Sequence, residues 1–90
     1  MTNLEKLFNI IDKGDTIYNI DDVLVFLSKD IKEAIESKKY NKSEIAKRLN
    51  MHPSNFSNRL AVLSRYELVN CNEFGVVTEN GTTTLVKETK

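Results

Sequence analysis

The first apolar residues of the chain recur at helical spacing. Four of them lie at intervals of three and four residues: Leu4, Leu7, Phe8 and Ile11. Residues at this spacing share one face of an α-helix. Gly14 follows, and glycine commonly terminates a helix. The pattern therefore predicts an amphipathic N-terminal helix within residues 1–14.

A second and longer amphipathic pattern begins after a polar loop at residues 15–19. It opens at Asp21 or Asp22 and carries a dense set of apolar residues: Val23, Leu24, Phe26, Leu27, Ile31, Ala34 and Ile35. Its acidic start and its basic end at Lys38 and Lys39 both complement the helix dipole. The first half holds more apolar residues than one helix face needs, which predicts a surface for a partner.

The segment from Asn41 to Leu63 carries the local signals of two short helices joined by a tight turn. Asn41 is a suitable N-cap, and Glu44 three residues later completes the pattern of a capping box. We expect the first helix to end at Asn50, because Asn tolerates the left-handed backbone conformation that closes helices. Pro53 suits the first position of the second helix, since its missing N–H is not needed there.

The second of these helices separates apolar from polar residues. With His52 as its cap, it places Phe56, Leu60 and Leu63 on one inward face. Its outward residues are short and polar or basic: Ser54, Asn55, Ser57, Asn58 and Arg59. This is the pattern of a helix-turn-helix over residues 41–64, in which the second helix enters the major groove of DNA.

The pattern changes from helical to extended after Tyr66. Strand-forming residues flank Asn80 and Gly81, a pair that favours a type I′ turn because both central positions need positive φ. The sequence predicts a β-hairpin over residues 74–87. The rival interpretation is a closing helix capped by Thr78, but three consecutive threonines and a glycine make a poor helix.

Length and composition agree with one small folded domain, residues 1–90. Hydrophobic residues make up 40% of the chain, and there are three Gly and one Pro, which favours a helix-rich fold. The single cysteine, Cys71, permits no internal disulfide and suits a reducing compartment. Its place in an alternating run predicts a small, half-buried side chain and not a reactive thiol.

No apolar stretch approaches the roughly 20 residues of a membrane span, and the N-terminus lacks the pattern of a signal peptide. We therefore expect a cytoplasmic protein with no membrane partner. It would be nucleoid-associated in a prokaryote, or in the host cytoplasm if viral.

The formal net charge is zero, but the charges are unevenly distributed. Residues 1–36 carry four Lys and eight Asp or Glu, whereas residues 67–90 carry two Lys and four Glu. Residues 37–66 carry seven Lys or Arg and only one acidic residue, Glu44. The positive charge thus coincides with the helix-turn-helix, where contacts with DNA phosphates would be made.

Three consecutive stretches resemble the winged-helix family of DNA-binding domains: SEIAKRLNM, HPSNFSNRLAVL and SRYELVN. The resemblance covers about residues 21–86 and is similar to regulators of the multiple-antibiotic-resistance and arsenic-repressor types. Two residues depart from the family pattern. Asn50 replaces a glycine often found in the turn, and Glu67 stands where glycine usually precedes the Leu-Val pair.

The resemblance implies a mostly α fold with a small β-hairpin, a winged helix-turn-helix. Here it has an extra N-terminal helix, residues 1–14. The helical core would span residues 21–66, and residues 67–90 would form the wing hairpin and tail. Family wings often reach the minor groove with a basic residue, but no Lys or Arg lies between Glu67 and Val86.

Contacts with double-stranded DNA are predicted from the second helix of the motif, residues 53–64. Asn55 and Asn58 are placed to reach base edges, since Asn can bond bidentately to adenine. Arg59 would read guanine or clamp a phosphate. The complete set of predicted DNA-binding residues is Lys42, Ser43, Lys47, Arg48, His52, Ser54, Asn55, Ser57, Asn58, Arg59, Arg65, Asn80 and Thr82.

Catalysis and metal binding are not expected. His52 is the only histidine, and its position at a helix start suits capping or phosphate contact better than catalysis. No Ser-His-Asp order, Cys-His pair or glycine-rich phosphate loop is present. One Cys and one His cannot form a closed zinc site within one chain. The sequence therefore predicts a binding protein that is not an enzyme and has no cofactor.

The resulting hypothesis is a sequence-specific DNA-binding transcriptional regulator, a repressor acting as a homodimer. The N-terminal helix would pack against a second subunit or else cap its own core; symmetric DNA sites favour the dimer. The alternative is a winged-helix protein–protein interaction module without sequence-specific DNA binding. The zero net charge and the uncharged wing favour that alternative.

Overall fold

A computed structural model describes residues 2–66 and 72–86. These residues form four helices followed by a two-stranded antiparallel sheet. The elements are α1 (Asn3–Asp12), α2 (Ile20–Glu36), α3 (Lys42–Arg48), α4 (Pro53–Leu63), β1 (Glu73–Thr78) and β2 (Gly81–Val86). The fold is mostly helical with a small hairpin, as predicted, and is consistent with a winged helix-turn-helix.

Helix α1 begins at a reciprocal capping box. The Thr2 hydroxyl accepts from the Glu5 N–H at 3.2 Å, and the Glu5 carboxylate accepts from the Thr2 N–H at 3.4 Å. The hydrogen bond from the Thr2 hydroxyl lowers the pKa of the Glu5 carboxyl, and the nearby Lys39 ammonium lowers it further. The helix ends at Asp12, and Gly14 follows with φ 85°, so the predicted end of the helix is confirmed.

The apolar stripe of α1 is buried in its own chain. Leu4, Leu7, Phe8 and Ile10 all belong to the core, and Ile11 packs against it. The Asn3 amide, also buried, donates to the Val86 carbonyl at the end of β2. Of the two predicted roles for this helix, the structure shows the capping of its own core. Homodimerisation through the N-terminal helices stays a prediction.

Helix α2 buries its dense apolar half inside the molecule. Val23, Leu24 and Leu27 are fully buried, and the ring of Phe26 stacks on Phe74 of β1 with centroids 5.2 Å apart. The chain's own hairpin and α1 therefore cover the apolar excess. The partner surface predicted from that excess is wrong, because the sequence does not show which internal element will pack there.

The hairpin pairs β1 with β2 from Glu73↔Val86 to Thr78↔Gly81. This confirms the predicted hairpin and excludes the rival closing helix. The turn residues are Glu79 and Asn80, one position earlier than predicted, and the positive φ belongs to Gly81. The predicted type I′ turn is therefore wrong. The Thr78 hydroxyl closes the turn instead, accepting from the Asn80 N–H at 3.3 Å and donating to the Gly81 carbonyl at 2.9 Å.

A third stretch of backbone lies along the outer edge of β1. Ile17 forms an isolated antiparallel bridge with Thr78, and the Tyr18 N–H donates to the Val77 carbonyl at 2.9 Å. The Asn19 amide extends this pairing with its side chain, donating to the Gly75 carbonyl at 2.9 Å and accepting from the Val77 N–H at 3.0 Å. Residues 17–19, predicted only as a loop, thus join the hairpin to the start of α2.

Several predictions fall on residues that the structure does not describe. They concern Glu67 as the departure at the helix end, the alternating run that contains Cys71, and the tail after Val86. Among residues 2–66 and 72–86, no helix has the length and apolar content needed to cross a membrane.

Candidate nucleic-acid interface

The cap and turn of α3 follow from local side-chain chemistry. The Asn41 side-chain oxygen accepts from the Glu44 N–H at 2.7 Å, which is the predicted capping bond. Asn50 adopts φ 57°, the predicted left-handed conformation, and the Met51 N–H then donates to the Ala46 carbonyl at 2.9 Å. These bonds end α3 sharply and redirect the chain into α4.

Helix α4 is held by its cap and by its buried face. Pro53 occupies its first position, and Nδ1 of His52 accepts from the Ser54 N–H at 3.2 Å, as predicted. Phe56 and Leu60 are buried, and Leu63 is partly buried against the core. The predicted inward stripe is therefore confirmed, and it fixes which side of α4 faces solvent.

The exposed side of α4 carries mostly short side chains and no carboxylate. We call it the outward face of α4, and it consists of Ser54, Asn55, Asn58, Ala61, Val62 and, just past the helix, Arg65. At 3.6 residues per turn these positions occupy about a third of the helix circumference. No Asp or Glu occurs anywhere in residues 45–66, so nothing on this face repels a phosphate backbone.

Arg59 lies beside the outward face and is paired within the chain. Its Nε and Nη2 atoms lie 2.8 and 3.5 Å from the two carboxylate oxygens of Asp21, near the start of α2. Both side chains are about half exposed. Exposed pairs of this kind contribute at most about 1 kcal/mol, so a DNA phosphate can replace the carboxylate at little cost.

Arg48 is held in a similar way on α3. Its guanidinium lies 3.5 Å from the Asp12 carboxylate and 4.7 Å from the centre of the Phe8 ring, over which it sits. Arg48 and Arg59 line one cleft together with residues 15–17 and the turn of the motif. Two of the predicted DNA contacts are thus tied to the acidic N-terminal part of the chain.

On the opposite flank of α4, two exposed lysines lie at the rim of a cleft. A cleft of about 460 Å³ between α2 and α4 is lined by both polar and apolar side chains: Lys32, Ile35, Glu36, Lys42, Ser57, Leu60 and Ala61. Lys32 and Lys42 are exposed at its rim. Sequence reasoning missed Lys32, because it lies in α2, six residues before Lys38, the first basic residue of the basic segment, and only the folded chain brings it beside Ala61.

The remaining predicted residues of the motif are exposed. Ser43 and Lys47 lie four residues apart on α3, a spacing that puts them on one side of the helix. For Lys42, Lys47 and Arg65, no ion pair occurs among the residues that the structure describes. These three cations are therefore available to a polyanion without first losing a carboxylate partner.

The hairpin tip differs from the basic wing that the resemblance implied. The Asn80 amide donates to the Asp15 carboxylate, which ties the tip to the segment before α2. Thr82 is exposed, and Glu73 and Glu79 give the hairpin a negative charge. Partial desolvation raises the pKa of the Tyr18 phenol, and the neighbouring Glu79 carboxylate raises it further.

Comparison with known proteins agrees with this interface at the level of the motif. Residues 29–62 match the profile of a helix-turn-helix family described as bacterial regulatory protein, Fis family. The match covers less than half of the chain and contains α3, the turn and nearly all of α4. It supports a helix-turn-helix DNA-binding domain. It does not confirm the resemblance to the multiple-antibiotic-resistance or arsenic-repressor types.

Searches of curated proteins and of solved structures gave no match to the chain.

Proposed function

We propose that this protein is a sequence-specific, double-stranded DNA-binding transcriptional regulator, and that it represses by occupying promoter DNA. The observation that carries the proposal is the outward face of α4, where Ser54, Asn55 and Asn58 present short polar side chains, Arg65 is basic and no residue is acidic. A solvated helix face without a ligand would more often carry Glu and Lys, whereas short amides and hydroxyls let a helix approach base edges closely.

The proposed contacts divide into reading and positioning. Asn55 and Asn58 read base edges in the major groove, where the Asn amide can bond to both N6 and N7 of adenine. Lys42, Lys47 and Arg65 bind phosphates and set the register without reading sequence. The positive dipole end at the start of α4 stabilises a phosphate placed near Ser54.

In this proposal, the two paired arginines bind DNA only after each has released its carboxylate partner. Arg59 exchanges Asp21 for a phosphate when the outward face enters the groove, and Arg48 exchanges Asp12 in the same way. Because the carboxylates compete with the phosphates, these pairs lower affinity for DNA that does not fit and so favour selected sites. Ser43, His52, Ser54 and Ser57 supply neutral hydrogen bonds beside these contacts.

Asn80 and Thr82 contribute less to DNA binding than the basic wing of a typical family member would. Asn80 is already bonded to Asp15, and the carboxylates of the hairpin repel phosphates. We retain both as neutral contacts to the backbone of DNA.

We further propose a cytoplasmic homodimer with no catalytic activity, since two copies of one recognition helix match the two halves of a symmetric site. The apolar stripe of α1 is used internally, so polar residues of α1 or another surface would form the dimer contact.

A titration by fluorescence anisotropy tests the proposal. The full chain is titrated against random duplexes and duplexes selected from a random library, at two salt concentrations, with its mass in solution measured alongside. We expect binding that weakens with salt, by about 0.9 log unit of affinity per log unit of salt for each phosphate contacted. We also expect one near-palindromic site to be preferred and a dimeric mass.

Two variants separate reading from positioning. The double variant Asn55→Ala with Asn58→Ala is expected to bind selected and random DNA with nearly equal affinity. Lys47→Ala is expected to weaken both by the same factor and to lower the salt slope by about one contact. Unchanged profiles in both variants would remove α4 from the DNA interface.

The alternative function is a protein–protein interaction module without sequence-specific DNA binding. The negative hairpin, tied at its tip to Asp15, is the observation that favours it. No binding to any duplex at low salt, or binding that does not change with salt, would support this alternative against the regulator.

A further inference from the structure

An exposed valine interrupts the polar surface of the recognition helix. Val62 is 52% exposed on the outward face of α4, and Ala61 beside it is exposed as well. The core does not require Val62, because Phe56 and Leu60 already fill the inward side of this helix. An apolar side chain near the C-terminal end of a surface proposed to meet DNA is complementary to a ligand group that is also apolar.

Val62 lies in line with the two proposed readers. Asn55, Asn58 and Val62 are spaced by three and four residues, so their side chains form one strip along the helix. With a rise of 1.5 Å per residue, Val62 lies about 6 Å from Asn58 and about 10.5 Å from Asn55 along the axis. Stacked bases are about 3.4 Å apart along the DNA axis, so with α4 aligned along that axis these distances correspond to about two and three base-pair steps.

The major groove offers one apolar group at the base edges, the C5-methyl of thymine. We propose that Val62, with Ala61 beside it, contacts a thymine methyl about two to three base pairs from an adenine bonded by Asn58 or Asn55. This inference rests on the proposed function. It adds to that function the base, thymine, that the C-terminal half of α4 selects. The preferred site is then rich in A·T pairs at defined spacing, with a thymine at the Val62 position.

The surroundings of Val62 favour DNA over a protein partner. Asn58 and Arg65 lie on the same face, and the neighbouring cleft is lined by Lys32 and Lys42 against one carboxylate, Glu36. Residues 45–66 contain no carboxylate. Tyr66, four residues after Val62 and 62% exposed, is the one other large apolar side chain nearby among the described residues. Two exposed large apolar side chains are far fewer than the roughly 20–30 residues a side of a stable protein interface, whereas a single methyl contact needs only one of them.

Replacing single thymines by deoxyuridine tests the contact, because the change removes one methyl group and leaves base pairing intact. The probe is a duplex enriched from a random library by the full chain, with each thymine replaced in turn. We expect replacement at one position in each half-site to weaken binding about fourfold, the value of one buried methyl-sized group. We expect replacements elsewhere to change affinity less than twofold.

The variant Val62→Ala completes the test. It should bind the thymine duplex several-fold more weakly and lose the sensitivity to deoxyuridine at that position. Alanine is a better helix former than valine, so the variant should unfold at or above the wild-type temperature. Val86→Ala is the matched control, because Val86 is 53% exposed but lies on β2; it should keep the sensitivity.

Each other outcome overturns the inference in a distinguishable way. If Val62→Ala keeps the deoxyuridine effect, or if no thymine position is sensitive, then DNA binding stands and the methyl contact is wrong. If Val62→Ala leaves DNA binding unchanged but alters the mass in solution, Val62 belongs to a protein interface. If no duplex is enriched at all, the proposed function fails together with the inference.

Discussion

The helix-turn-helix and the hairpin differ in the charge of their surfaces and in how far they are built into the core. The outward face of α4 carries two amides, one hydroxyl, two apolar side chains and Arg65, and none of its residues is acidic. The hairpin carries Glu73, Glu79 and β-branched side chains, with no basic residue between Glu67 and Val86. A hairpin after a helix-turn-helix therefore need not be a second contact with DNA.

What the hairpin does in this chain is structural. Val76 and Leu85 are fully buried, and Phe74 stacks on Phe26 of α2. One edge of β1 is occupied by residues 17–19, and the end of β2 is bonded by Asn3. The comparison implies that damage to the hairpin lowers stability, whereas damage to the outward face of α4 lowers DNA recognition. Three changes test this division, beginning with the largest expected effect, and a fourth tests the cap of α1.

Leu85→Ala is expected to lower the free energy of unfolding by about 2–5 kcal/mol, because it removes a fully buried side chain and leaves a cavity. Urea denaturation followed by circular dichroism measures the change. The control is Val86→Ala on the same strand, half exposed, for which we expect a loss below about 1 kcal/mol. A loss below 1 kcal/mol for Leu85→Ala would mean that the hairpin is an accessory and not part of the core.

Asn19→Ala is expected to cost about 2 kcal/mol, because it removes two hydrogen bonds to the backbone of β1, each contributing about 1 kcal/mol. Its counterpart is Asn58→Ala on α4, which should change DNA preference with little effect on stability. Thermal unfolding gives the stability of each variant, and anisotropy titration gives its preference for selected over random DNA. Equal losses of stability in the two variants would contradict the division between the regions.

Asp21→Asn is expected to raise the affinity for random duplex DNA about threefold at low salt, because it releases Arg59 and removes one negative charge. The control is Asp22→Asn, which makes the same change of charge at the neighbouring position. Titration of both variants at two salt concentrations separates the two causes. Equal gains would show that only net charge matters and that the pair with Arg59 does not restrain binding.

The smallest effect concerns the pH dependence of the α1 cap. The pKa of Glu5 is lowered in the folded chain, so its stabilising contribution is present above the ordinary carboxyl pKa and is lost as the pH falls through the lowered value. Glu5→Gln should therefore unfold at a slightly lower temperature than the wild type at neutral pH and at the same temperature in strong acid. A difference that persists in acid would mean that the carboxylate charge is not the cause.

The features predicted correctly from sequence are those that depend on neighbouring residues. The Asn41 cap, the left-handed Asn50 and the Pro53 start each involve residues within about four positions, so the local sequence carries the whole signal. The inward stripe of α4 was predictable for the same reason. Helix periodicity alone determines which residues share a face.

The features that sequence reasoning missed join distant parts of the chain. Asn19 pairs with β1 more than fifty residues away, and Asp21 pairs with Arg59 across thirty-eight positions. Polar side chains carry no local sign of such partners. The five basic residues from Lys42 to Arg65 were therefore all counted as DNA contacts, although Arg48 and Arg59 are partly neutralised inside the folded chain.

The long-range bonds of the hairpin also set the order in which the molecule assembles. Helices α2 to α4 are connected by short segments, and α4 contacts both α2 and α3, whereas the hairpin reaches back 56 residues to Asn19 and 83 residues to Asn3. Closing such loops costs more entropy and is slower. We expect the three helices to collapse first and the docking of the hairpin to limit the folding rate. During synthesis, part of the cover of the apolar stripe of α1 is missing until β2, which ends at Val86, has been made. We expect the nascent chain to be most prone to aggregation in that interval.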